Sequence, residues 1–335
     1  MIKFLLALPL IILAATSDYL SPKPYVYEIN RGIDFVIIQQ YDSALALFKH
    51  DRNAPEDKRI IFLFCRVLAL EAMMVDYESN VRGGEFDSIS LKLEQILIKK
   101  LKSESNSSWL HFYYGSLLVT DGAHQVRFAK YLDFTKNMFK GMTHLNKSYE
   151  LDNGNTDAAF CVGLYSYAKS KLVQWLPGVE GVDSSTISAM ERASVSGIFT
   201  NMIAAQTLVN LYAENGNWEK AEATKRIFCS RYPEARAIRW ILGKAAYAGE
   251  NYSLARAQFN ELMPLIDAMP SDLIYNRLSL ALHLSMVDFK TGAYKEASER
   301  TAAAILKFGD SRMTKTEIAL FDKIKSYNKK AAKKQ

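Results

Sequence analysis

Proline and glycine are scarce in this chain. Of 335 residues only 8 are Pro and 16 Gly, too few for the turn at every strand junction of a β-sandwich or barrel. No long alternating apolar–polar stretch marks a sheet. Cysteine is rarer still. Cys65, Cys161 and Cys229 lie far apart in apolar stretches, which excludes a disulfide-stapled scaffold, and the odd number leaves at least one free thiol. A Cys161–Cys229 bridge stays open at this level. The signatures of chemistry are missing too. There is no His-Glu-x-x-His, no Cys-x-x-Cys, no Gly-rich phosphate loop and no Gly-x-Ser-x-Gly, and the five His (50, 111, 124, 144 and 283) are isolated. The expectation is a chain with no catalytic residues, no cofactor and no metal site.

What is present is apolar content of 49% and a formal charge of +6. Runs such as 203–213 and 274–289 carry apolar residues at helical spacing, so the fold expected is all-α. The charge is unevenly placed. Lys323, Lys325, Lys329, Lys330, Lys333 and Lys334 fall in the last 13 residues with no acid among them. They account for the whole excess, and the body is neutral. A fold that binds nucleic acid carries its basic residues on its body, so a nucleic-acid partner is not expected. Residues 328–335 read as a basic, disordered tail, with peripheral contact to an anionic membrane as its functional reading.

The first residues look like a targeting segment. Lys3 precedes an apolar stretch from Phe4 to Ala14, followed by Ala15-Thr16-Ser17. A charged start, a short apolar core and a small-x-small end predict a secretory signal peptide over 1–17, cut after Ser17. An uncleaved anchor is the other reading. No Cys follows the stretch, so a lipoprotein attachment has no acceptor, and no other segment is long and apolar enough to span a bilayer. The localisation expected is exported: periplasmic or extracellular, in a bacterial envelope.

Two tetrapeptides carry the most information. Trp218-Glu219-Lys220-Ala221 and Tyr252-Ser253-Leu254-Ala255 lie 34 residues apart, each after a short turn, Asn215-Gly216-Asn217 and Gly249-Glu250-Asn251. Stacked helical hairpins leave such a period, with the aromatic opening each second helix and the Ala letting two helices approach. Leu242-Gly243 precedes Tyr252, and Phe259 follows Ala255 by four residues. This pattern resembles the tetratricopeptide repeat family. Weaker copies flank it: Gly32, Phe35, Tyr41, Ala44 and Phe48, with Pro55 near the expected end, on one side, and Gly292-Ala293-Tyr294 with Ala297 on the other. Pro233 closes the Trp218 unit, but Lys225 stands where the family has Phe. The resemblance implies a right-handed α-solenoid of stacked antiparallel helix hairpins. It spans residues 18–327 as a single domain, clearest over 200–305, with an irregular middle around Trp175-Leu176-Pro177-Gly178. Gly163-Leu164-Tyr165-Ser166-Tyr167 also resembles exported bacterial repeat proteins and, more distantly, a eukaryotic repeat family, a likeness that brings no activity with it.

One pair of patterns resembles penicillin-binding enzymes: Ser166-Tyr167-Ala168-Lys169 as Ser-x-x-Lys, and Lys290-Thr291-Gly292. Those enzymes also need a Ser-x-Asn between the two, which is absent, and Lys-Thr-Gly falls here in an inter-helix turn. The repeat family binds partners on the inner face formed by the first helix of each hairpin. The register of each repeat implies Phe160, Tyr167, Gln206, Asn210, Trp240, Lys244 and Tyr247 as that face. Aromatics would supply contact area, and amides and Lys would bond a backbone or carboxylate. The function expected is therefore a non-catalytic scaffold or adaptor for a protein or peptide partner in the cell envelope. The alternative is a glycan- or small-molecule-handling protein, with hydrolysis as its chemistry and a site in 157–183.

Overall fold

A computed structural model describes residues 19–49, 51, 53–127, 131–173, 184–270 and 273–334. The signal-peptide reading over 1–17 and the irregular segment 174–183 lie outside the described residues. After a 3-10 turn at Lys23–Tyr25 the described chain is helical, with no strand among the described residues. The hairpins are α1 (Val26–Ile37) with α2 (Tyr41–Leu47), α3 (Glu56–Tyr77) with α4 (Gly83–Leu101), α5 (Ser108–Val126) with α6 (Tyr131–Leu151), and α7 (Thr156–Val173) with α8 (Ser184–Ser196). Then come α9 (Asn201–Glu214) with α10 (Trp218–Arg231), α11 (Ala237–Ala248) with α12 (Tyr252–Asp267), α13 (Ile274–Lys290) with α14 (Tyr294–Phe308), and a capping helix α15 (Lys315–Ala332). Each helix packs on its hairpin partner, and α1 packs on α3, α3 on α5, α9 on α11 and α13 on α15. This is a tetratricopeptide-like α-solenoid, in which each unit buries its apolar face against its neighbours.

The repeats are legible at the atomic level. Four turns share one geometry. A residue with left-handed backbone sits two places before the aromatic: Gln39 (φ 61°), Gly216 (φ 71°), Glu250 (φ 60°) and Gly292 (φ 80°). In each, the next amide reaches back to a helix carbonyl at 2.8 Å: Gln40 to Phe35, Asn217 to Tyr212, Asn251 to Ala246 and Ala293 to Asp288. This is the Schellman ending of a helix. Asn217 and Asn251 then cap the second helices, accepting from the amides of Lys220 and Leu254 at 3.2 Å. The alanines that follow, Ala44, Ala221, Ala255 and Ala297, are all buried, as the close approach of paired helices requires. Gly32 and Gly243 do the same work on the first helices. A Cβ on Gly243 would lie 2.6 Å from the Phe259 ring, and one on Gly32 would lie 2.0 Å from the Phe48 ring.

The middle departs from this regularity. The turn before α9 carries Phe199 into an aromatic cage of the N-terminal half, stacked 5.7 Å from Phe112 and edge-on to Phe64, Trp109 and Tyr113. Asp157, buried at the start of α7, fixes that turn. Its carboxylate accepts from the amides of Ile198, Phe199 and Thr200 and from the Thr200 hydroxyl, at 2.8 to 3.0 Å.

The C-terminal reading needs correction. Residues 328–332 are not a disordered tail but the last turn of α15. Phe321, Ile324 and Ala331 form a buried stripe, and the Asn328 side chain accepts from Thr301 at 3.0 Å and Ser298 at 3.3 Å. The lysines occupy the opposite, exposed face, so composition alone hid an amphipathic helix. All three cysteines are free thiols, which closes the Cys161–Cys229 alternative. Among the described residues no helix is long and apolar enough to cross a membrane.

Candidate binding face

Trp240, Lys244 and Tyr247 fall one turn apart on α11 and share a face. Trp240 is half-buried, with its ring centroid 5.8 Å from Phe259 and 5.6 Å from His283. The Lys244 ammonium lies 5.2 Å from the centre of the Trp240 ring, a cation–π contact. Tyr247 packs 5.7 Å from Tyr252. From α13, His283 holds its Nδ1 2.7 Å from the Ser279 carbonyl. That fixes Nδ1 as the donor nitrogen.

The electrostatics agree with a concave, partly dehydrated setting. Burial lowers the pKa of His283, against the Ser279 carbonyl, and the Lys244 and Lys323 ammonium groups push the same way as burial. Lys244 has an exposed side chain, yet its surroundings are dense enough that burial lowers its pKa, opposed by the Glu78 carboxylate. Tyr275 of α13 is raised, first by burial and then by Glu78. Tyr247 is pushed up to about 12 by burial and by its Tyr327 and Tyr252 neighbours. Among the described residues neither Lys244 nor Lys323 has a carboxylate within 4.0 Å. The face therefore presents the Lys244 cation over the Trp240 ring, with the Tyr247 ring one turn further along α11.

The other expected residues divide. The Tyr167 phenol donates to Glu214, and the Asn210 amide donates to the same side chain at 3.0 Å. These two form a small polar cluster between α7 and α9. Gln206 is half-buried on α9. Phe160 is corrected outright. It is buried in a cluster with Met190, Ala204 and Leu208, because α8 and α9 both close over α7, and it reaches no surface. Five residues of the face were missed: Glu78, Tyr275, His283, Lys323 and Tyr327. Applying the Tyr252 register to the Tyr294 unit reaches Ser279, one helical turn from both Tyr275 and His283, so those two carried a signal. Glu78, more than 160 residues before Lys244, carried none.

Among the described residues no group of three or more His, Cys, Asp or Glu is arranged to hold a metal ion. A cleft of about 180 Å³ lies between α1 and the α8–α9 turn, and another of about 220 Å³ lies beside 47–63. Neither is lined by residues of 157–183, where the small-molecule alternative put its site.

No family model matches the chain, and no curated protein matches it. Among solved structures, the crystal structure of yeast Tom70 is similar at a TM-score of 0.40 and 10% sequence identity. The similarity covers 86% of this chain and 66% of that chain. A likeness that loose decides nothing about function.

Proposed function

We propose that this chain is a non-catalytic scaffold that holds an extended protein or peptide segment on the face built by α11, α13 and α15. The observation that supports this most is the run of Trp240, Lys244 and Tyr247 along one side of α11, with the Lys244 ammonium over the Trp240 ring and His283 of α13 against the same ring. Rings supply contact area, and cations anchor backbone carbonyls or acidic side chains; such aromatic anchors carry most of the energy of a protein interface. The charged start, apolar core and small-residue end of residues 1–17 support export, so the partner is placed in the cell envelope. The exposed lysines of α15 add a rigid basic face suited to peripheral contact with an anionic membrane.

Capture of the partner from the native envelope, followed by binding measurements on variants, tests this reading. Trp240→Ala should weaken binding by about 2 kcal/mol, and Lys244→Ala by less, mainly through a slower association. Ile227→Ala, which removes an exposed side chain of α10, serves as the control and should leave affinity unchanged. Wild-type affinity in both groove variants would sink the assignment of this face.

A further inference from the structure

A seam joins the two ends of the solenoid. The C-terminal end of α3 and the α1–α2 turn meet the ends of α10, α11 and α13 across sequence separations of 160 to 200 residues. The Arg236 guanidinium pairs with the Asp76 carboxylate. The Asn276 amide donates to the Asp76 carbonyl at 2.7 Å. The buried Tyr41 ring meets Tyr77 edge-on at 5.5 Å. The Tyr232 phenol donates to Asp34, whose carboxylate Arg231 also approaches at 3.3 Å. Ile37 is buried here against the core of α9–α13, with Ile33, Ile38 and Tyr77 around it.

Three features set this seam apart from the rest of the molecule. It is made by helix ends, and no helix of one limb packs lengthwise on a helix of the other. The N-terminal limb has its own core, since the cluster built on α3–α5 contains no residue of α11–α13, and of the N-terminal limb only Ile37 is buried in the core of α9–α13. The bonds across it are mostly polar, and their net contribution is small because water replaces them on opening. Separable contacts between self-sufficient units open at a free energy well below that of global unfolding. The seam also stands at the edge of the binding face. Glu78 follows it by two residues, in a left-handed conformation (φ 46°), and its carboxylate acts on both Lys244 and Tyr275.

We infer that the seam is a clasp: Asp76 parts from Arg236 and Asn276, an extended polypeptide segment is laid onto α11, α13 and α15, and the limbs close again beside it. This rests on the concave face being the binding face, but its test needs no ligand, so the two readings fail separately.

The full-length Ile37→Cys variant, checked for helix content, is treated with a maleimide, and each thiol is followed by mass. Cys65, deep in the N-terminal core, is the internal reference for global unfolding. Modification at position 37 should run at least about tenfold faster than at Cys65. Adding Asp76→Asn should speed position 37 further and leave Cys65 unchanged. Equal rates at the two thiols, with Asp76→Asn accelerating both alike, would overturn the clasp. Should Ile37→Cys not fold, small-angle scattering decides. Asp76→Arg should enlarge the radius of gyration at unchanged helix content, and Asp76→Arg with Arg236→Asp should restore it. A folded Asp76→Arg chain with the wild-type radius would also overturn the clasp.

Discussion

Phe199 and Arg236 both connect parts of the chain that are distant in sequence, by opposite means. Phe199 inserts a ring among four others, and its turn is held by a buried carboxylate with four donors. Arg236 reaches across helix ends to one carboxylate, beside a handful of polar bonds and one buried isoleucine. The first contact removes apolar area from water and satisfies every group it buries, so it opens only with the core around it. The second exchanges protein hydrogen bonds for water at little net cost. One solenoid thus has a fixed joint in its middle and a separable one at its rim. Variants at the two joints should differ in size and in kind.

The largest effect belongs to the fixed joint. Asp157→Ala strips the acceptor from three backbone amides and a hydroxyl, leaving buried donors unpaired. Chemical denaturation should show a loss of roughly 3–5 kcal/mol. Asp157→Asn keeps one acceptor oxygen and should lose less. Wild-type stability for the alanine variant would mean that Phe199 holds the turn unaided.

Acid should reach the half of the chain that contains the fixed joint. His111 and His144 face each other between α5 and α6, with Nδ1 atoms 2.8 Å apart, and His111 Nε2 lies 2.9 Å from the Ser105 carbonyl. One Nδ1 must donate and the other accept, so the two rings cannot both be charged. Burial lowers both pKa values. His144 is pushed down to about 4, by burial first and then by His111 and Lys140; at His111 the Ser105 carbonyl opposes burial and Lys147 adds to it. With folded values below the unfolded value of about 6.5, the unfolded chain binds protons first. Stability from this pair is therefore full above pH 6.5, declines as pH falls toward 4, and levels off below. Because the His144 ring is partly open to solvent, the loss expected is about 1–2 kcal/mol. A melting series from pH 7.5 to 4, run beside His144→Gln, checks it. A variant as acid-sensitive as the wild type would assign the decline to other groups.

Arg236→Ala comes next and sharpens the contrast. At a fixed joint an orphaned buried carboxylate costs roughly 3–5 kcal/mol. Here the limbs can part and let Asp76 hydrate, so the global loss should stop near 1 kcal/mol. A loss comparable to that of Asp157→Ala would make the seam part of the core.

What the sequence revealed follows the same division. Tyr252, Ala255, Gly243 and Phe259 were readable because their partners lie within one hairpin, where spacing maps directly onto geometry. Trp240, Lys244 and Tyr247 were readable as one face for the same reason. Phe199 lies in a turn outside any repeat register, and its partners are at least 86 residues away, so no local pattern points to them. Asp76 with Arg236, and Glu78 with Lys244, depend on how far the whole superhelix curls, which accumulates over many small inter-hairpin angles. Phe160 has the right repeat position, but the hairpin that follows covers it. The end of the chain was a different failure. Phe321, Ile324, Asn328 and Ala331 recur at helical spacing, yet six lysines drew the reading toward disorder.

The smallest expected effect lies on the C-terminal limb, away from both joints. Glu250 occupies the left-handed position that Gly216 and Gly292 hold in the neighbouring units. An L residue there crowds its Cβ against its own carbonyl, a penalty of about 1 kcal/mol. Glycine removes that penalty but widens the unfolded ensemble, which offsets part of the gain. Glu250→Gly should therefore stabilise the chain by about 0.5 kcal/mol, a rise of about 1 °C in melting temperature. Gly216→Glu should do the reverse. Because position 250 touches neither Asp157 nor Asp76, the maleimide rate of Ile37→Cys should not change in the Glu250→Gly background. A change in that rate would show that the seam feels the pitch of the α11–α12 turn, and that the two limbs are coupled through the solenoid as well as across its rim.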